Sequence, residues 1–118
     1  MANPDLIKSY IAEAAITPYR IVKFGSADSN VVPASASADA LLGICGQVGG
    51  DLGKRVDIVL DDIAEVEFGG SITRGDWLTS DANGKAIPAA AGANVIGRAM
   101  VSGVVGDIGT CLIAHGKI

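Results

Sequence analysis

The chain has 118 residues, the length of one ordinary domain, with 9 Lys and Arg against 13 Asp and Glu and a formal net charge of −4. Hydrophobic residues make up 49% of it but aromatic ones only 4%, and Gly occurs 16 times. An acidic chain with so few aromatics has no basic stripe or stacking platform for nucleic acid; its apolar share excludes a disordered chain, and two Cys exclude a disulfide scaffold.

The first fifteen residues fit two readings. Asn3 as a cap, Pro4 in a first turn, and Leu6, Ile7, Tyr10, Ile11 and Ala14 on one face describe a helix over residues 5–15. The other reading is an extended arm over residues 1–8 and a first strand over 9–16, which agrees better with the β-rich remainder of the chain. No cationic head precedes an apolar run, and no stretch nears the ~18 apolar residues of a membrane span. A soluble chain made in the cytoplasm, with no membrane partner, is expected.

Short β-branched and apolar runs then succeed one another. They cover residues 19–24, 41–48 (broken by Gly43 and Gly46), 55–60, 63–68, 76–79, 86–88, 95–101 and 108–114. In the fourth, Ala64, Val66 and Phe68 share one face and Glu65 and Glu67 the other. Asp61-Asp62 is placed to close a tight hairpin, and Gly69-Gly70 ends the run after it. Asp81-Ala82-Asn83-Gly84 contains Asn-Gly, the strongest short hairpin signal, because both residues tolerate positive φ. Val105-Gly106-Asp107 turns the chain before the last run, while 34–40 and 89–93 are small-residue loops. This pattern predicts an all-β fold, a small barrel or sandwich. The expected organisation is an N-terminal arm or first strand over 1–15 and a single β domain over 16–118.

One pattern occurs twice. Ile16-Thr17 with Ile21-Val22 matches Ile72-Thr73 with Trp77-Leu78; Val32-Pro33-Ala34 matches Ile87-Pro88-Ala89; Leu42-Gly43 matches Ile96-Gly97. Gly53 with Val56, Ile58, Val59 and Leu60 is echoed by Gly106 with Cys111, Leu112 and Ile113. The offset drifts from 56 to 53, as loop deletions would make it. Two such halves suit closure around one core with pseudo-two-fold symmetry.

Catalytic chemistry is not indicated. His115 is the only histidine and reads as an exposed tail residue, without the positioned partner that acid–base catalysis needs. Cys45 and Cys111 lack zinc-ligand spacing and read as buried thiols. Asp57, Asp61, Asp62, Glu65 and Glu67 form the one dense acidic group, without the calcium-loop pattern, and read as a solvated strand face. Two G-x-x-G-x-x-G runs, at 43–49 and 103–109, open no helix and read as tight turns and close strand packing. Trp77 is expected in the core, because tryptophans are highly buried on average.

The segment from Asp62 to Ala86 resembles the capsid decoration (head cement) proteins of tailed bacteriophages. It carries G-x-I-x-x-G-D-x-L-x-S-D-x-x-G-K-A from Gly70 to Ala86, then Asn94-Val95-Ile96-Gly97-Arg98-Ala99, then Gly106-Asp107-Ile108. The resemblance covers roughly residues 40 to 114. It implies a non-enzymatic virion protein without cofactors, on the capsid exterior, binding the major capsid protein and itself as a homotrimer. It also implies an N-terminal arm that reaches a neighbour, for which Asn3, Pro4, Asp5, Leu6, Ile7 and Lys8 are the candidate contacts. An alternative is a β-sandwich module on the phage tail or surface that binds host polysaccharide through Tyr10, Tyr19 or Trp77. A third is a small hydrolase using the acidic group.

Overall fold

The structure, a computed structural model, describes residues 7–118, in which every regular element is a β-strand. The strands are β1 (Ile7–Ala12), β2 (Ile21–Phe24), β3 (Asn30–Pro33), β4 (Leu41–Cys45), β5 (Arg55–Val59), β6 (Ile63–Glu67), β7 (Trp77–Ser80), β8 (Ala86–Pro88), β9 (Asn94–Ala99) and β10 (Ile108–Lys117). The first five close into a barrel in the order β1-β3-β2-β4-β5; the last five form a sheet in the order β6-β10-β9-β7-β8. The all-β class expected from the short apolar runs is the one observed.

Three local expectations change. Of the two readings of the first fifteen residues the first strand is the one observed, as β1 over 7–12 rather than 9–16; it pairs antiparallel with β5 from Ile7↔Val59 to Ile11↔Arg55 and runs parallel beside β3. Pairing with two strands satisfies backbone groups that a helix would have satisfied internally. Ile7 and Lys8 therefore belong to the first strand rather than to an arm, while Asn3, Pro4, Asp5 and Leu6 lie outside the described residues. Asp61-Asp62 closes no hairpin: β5 pairs with β1 and β4 and β6 pairs with β10, so this segment carries the chain from the barrel to the second sheet. Asp62 turns it with φ of 66°.

The duplicated pattern is a structural repeat, and it begins one strand earlier than the motifs indicate. β1 to β5 correspond in order to β6 to β10. Read from β1 around the barrel, the neighbours are β5, β4, β2 and β3; read from β6, they are β10, β9, β7 and β8. The parallel β1–β3 pair has its counterpart in the parallel bridge Phe68↔Ala86, and the antiparallel bridge Ile16↔Gly50 in Ile72↔Gly103. Gly43 and Gly97 hold one shared position because another strand's backbone passes over them. A Cβ on Gly43 would collide with the Val59 carbonyl oxygen and stand 2.7 Å from Ile58 Cγ2. On Gly97 it would collide with the Leu112 carbonyl oxygen and stand 2.8 Å from Cys111 Sγ.

Each half has its own interior. Tyr10, Ala12, Ile16, Val22, Val31, Cys45, Val56 and Ile58 fill the first. Val66, Phe68, Ile72, Leu78, Ile96, Cys111 and Ile113 fill the second, and Ile21, Ala34, Leu41, Ile44 and Val59 of the first half join them. The two halves thus do not share one core on equal terms: the outer side of the first completes the inside of the second. The alternation read in β6 holds, with Ala64, Val66 and Phe68 buried and Glu65 exposed.

Gly43→Ala and Gly97→Ala should each lower stability by about 1–3 kcal/mol in urea unfolding, the usual cost of overpacking. Gly46→Ala is the control, since its new Cβ would meet only the Asp57 carbonyl oxygen at 3.6 Å. It should stay within about 0.5 kcal/mol of wild type.

Candidate docking surfaces

The contact between the halves depends on residues 19–21, which enter a seam between β6 and the β7–β8 turn. Tyr19 takes φ of 64°, where the second half has Gly75 at 96°. The Glu67 N–H donates to the Tyr19 carbonyl at 2.9 Å, and the Ile21 N–H donates to the Gly84 carbonyl at 2.7 Å. Arg20 adds its side chain, with Nε 3.2 Å from Glu67 Oε1 and Nη1 donating to the Asn83 carbonyl at 3.0 Å. Lys85 Nζ lies 3.3 Å from the other oxygen of Glu67. Burial alone would raise the Glu67 pKa, but hydrogen bonds from Lys85 and Arg20, with their charges, hold it below its ordinary value.

The first half shows the same seam closed. There the Ile11 N–H donates directly to the Ser29 carbonyl at 2.9 Å. Ile11 and Ser29 occupy the positions of Glu67 and Gly84. The second sheet is therefore open where the first is a closed barrel, because residues 19–21 occupy the gap.

Behind residues 19–21 runs a row of cross-strand partners, Ile21↔Ile44 and Ile44↔Val59, at 0%, 0% and 7% exposure. The second half repeats this row as Trp77↔Arg98 and Arg98↔Leu112. Here Trp77 is 36% and Leu112 44% exposed, and Arg98 is exposed as well. The Arg98 guanidinium lies 4.2 Å from the Trp77 ring centroid, a cation–π contact. An open cavity of about 280 Å³ adjoins the row, lined by Trp77, Val95, His115 and Ile118 among others. The expectation of Trp77 in the core is overturned by the strand's pleat: Leu78 takes the inward position with 0% exposure, so its neighbour faces out. Of the three aromatics considered for sugar stacking, Tyr10 is buried and Tyr19 half-buried, and Trp77 has Arg98 over its ring.

A second apolar surface lies on the β9–β10 connection, where Val101, Val104, Val105 and Ile108 are all exposed. The turn is rigid: Gly106 takes φ of 92° and donates to the Phe68 carbonyl, and Asp107 Oδ2 accepts from the Val104 N–H at 3.0 Å. Its counterpart in the first half exposes Val48 and Leu52. Four exposed apolar side chains are thus gathered on one hydrogen-bonded connection.

The remaining candidate groups have structural places. Asp57, Asp61 and Glu65 are exposed and Asp62 half-buried, while Glu67 is held in the seam; among the described residues no group of three or more His, Cys, Asp or Glu is arranged to hold a metal ion. His115 lies in β10, not in a free tail, with Nε2 2.7 Å from the Leu42 carbonyl oxygen across the two halves. Asn94 adds a further tie, donating through Nδ2 to the carbonyls of Ala38 and Asp39. Cys45 and Cys111 are free and buried as expected; burial pushes their thiols up to about 11 and about 12, too high for thiolate chemistry at neutral pH.

A family model described as phage cement protein matches residues 3–112, and the chain belongs to that family. No curated protein matches it. Among solved structures, the head fiber gp8.5 N base of bacteriophage phi29 superposes with a TM-score of 0.74. It covers 96% of this chain and 97% of its own at 22% identity, a likeness of fold.

Because the Glu67 carboxyl titrates below its ordinary 4.5 in the folded chain, its contribution is present above that pH and lost as pH falls through the lowered value. Glu67→Gln should destabilise by about 1 kcal/mol at neutral pH. In urea titrations the gap between wild type and variant should shrink as pH falls below 4.5 and through the lowered value.

Proposed function

We propose that this phage cement protein decorates the outside of the expanded capsid and stabilises contacts between neighbouring major capsid subunits. It acts there as a non-catalytic structural subunit, with copies grouped in threes. The family match over residues 3–112 is the observation that carries this reading. A shared fold with the base of a phage head fiber supports a place on the head exterior.

The physical features fit the role. Val104 and Val105, at 58% and 64% exposure, sit on a glycine-pinned turn, and burying them on a partner gains about 25 cal/mol per Å² of apolar surface with little ordering cost. We assign the capsid contact to this turn. Asn3, Pro4, Asp5, Leu6, Ile7 and Lys8 are a second contact, reaching a neighbouring subunit from the start of β1. Many weak contacts on one shell add through multivalency, and a net charge of −4 opposes premature aggregation of the free chain. Arg98 over the ring of Trp77 weighs against the polysaccharide-binding alternative.

Co-sedimentation with expanded, undecorated heads tests the reading. Saturable binding at a fixed ratio to the major capsid protein is expected. Val104→Asp with Val105→Asp should weaken it about tenfold or more, and deletion of residues 1–6 should weaken it separately. Absence of binding by the folded wild-type chain would overturn the decoration role.

A further inference from the structure

The geometry points to residues 75–77, with Arg98 and Leu112 beside them, as a second wedge that inserts into the β1–β3 seam of another copy of this chain. The inference rests on the grouping of copies proposed for the decoration role and deepens it. Its basis is the repeat: residues 19–21 and the row Ile21, Ile44 and Val59 already dock on a module of the same fold. Their counterparts in the second half, residues 75–77 and the row Trp77, Arg98 and Leu112, have the same register but face outward. By the same equivalence, the Gly75 carbonyl and the Trp77 N–H point out of the second half.

The matching acceptor is the seam of the first half. At that point it is closed by one backbone bond, Ile11 N–H to Ser29 carbonyl. Insertion exchanges that bond for two, as it does within the chain, where Glu67 and Gly84 each bond the inserted segment. Further along, the Glu13 N–H to Val31 carbonyl bond has an intact counterpart beside the open seam in Gly69 N–H to Ala86 carbonyl, so that bond need not break. The side chains that meet differ between the two seams. Within the chain Arg20 meets Glu67. Between copies Asp76, the counterpart of Arg20, would approach Ile11, the counterpart of Glu67, whose cross-strand partner is Arg55. Such a contact is head-to-tail, so it closes into a ring or continues as a chain.

Trp77 is the only tryptophan, so its emission reports the contact directly. Light scattering and fluorescence of the full-length chain over a concentration series should show mass rising together with a blue shift. Leu112→Glu and Arg98→Glu change exposed residues, so their urea midpoints should match wild type while association weakens on the order of 30-fold or more. A chain that stays monomeric to about 200 μM, or association that both variants leave unchanged, would overturn the inference. Capsid binding by a chain that never self-associates would sink this contact and leave the decoration role standing. Self-association lost in both variants without any capsid binding would do the reverse.

Discussion

The architecture depends on one inserted segment. Residues 19–21 carry a carbonyl and an N–H into the seam between Glu67 and Gly84, and Arg20 fixes the entry through Glu67. Two five-stranded repeats that would otherwise be separate small barrels are thereby joined through backbone bonds. Small barrels have little interior and are marginal alone. Here the outer row of the first repeat, Ile21, Ile44 and Val59, enlarges the core of the second. The join is unequal by construction, because only one of two equivalent seams is open. The same inequality leaves Trp77, Arg98 and Leu112 in water.

The repeats keep their topology while exchanging volume. Ala12 and Val56 in the first correspond to Phe68 and Gly109 in the second. A Cβ on Gly109 would stand 2.5 Å from Phe68 Cζ, and one on Gly103 would stand 2.7 Å from Phe68 Cε2. Phe68 thus fits because its neighbours are glycines, and Val56 fits because Ala12 is small. At the adjoining inward position the exchange reverses, with Tyr10 in the first repeat and Val66 in the second. Each repeat therefore encloses a single aromatic ring. That capacity accounts for the low aromatic content and for part of the glycine abundance, since close packing leaves no room for more.

Much of this was legible in the residues themselves. The Asp81 to Gly84 turn joins β7 and β8 as its Asn-Gly pair indicates, with Gly84 at φ of 76° and Asp81 Oδ1 accepting from the N–H groups of Asn83 and Lys85. The matched Gly43 and Gly97 were visible as a repeat because packing permits no other residue there. Trp77 was misplaced by average burial, when its neighbour Leu78 decides which face it takes. Asp61-Asp62 has hairpin composition but links two sheets, since turn chemistry does not say which strands pair. The seam was invisible for a simpler reason: Tyr19, Ile21, Glu67 and Gly84 meet through main-chain atoms that every residue carries. The docking surfaces were missed likewise, as exposure of Val104, Val105 and Leu112 follows from tertiary position.

A cement role gives these features a common sense. A shell protein must keep its shape while contacts pull on it, and a seam filled from within the same chain ties both repeats to one cooperative unit. The most direct test of that coupling is native-state amide hydrogen exchange at Ile21 and Glu67, compared with Val22 and Val66 beside them in the two cores. The account predicts that all four exchange together at the rate of global unfolding. Rapid exchange at Ile21 and Glu67 while Val22 and Val66 stay protected would show that the inserted segment does not hold the repeats together, and would contradict it.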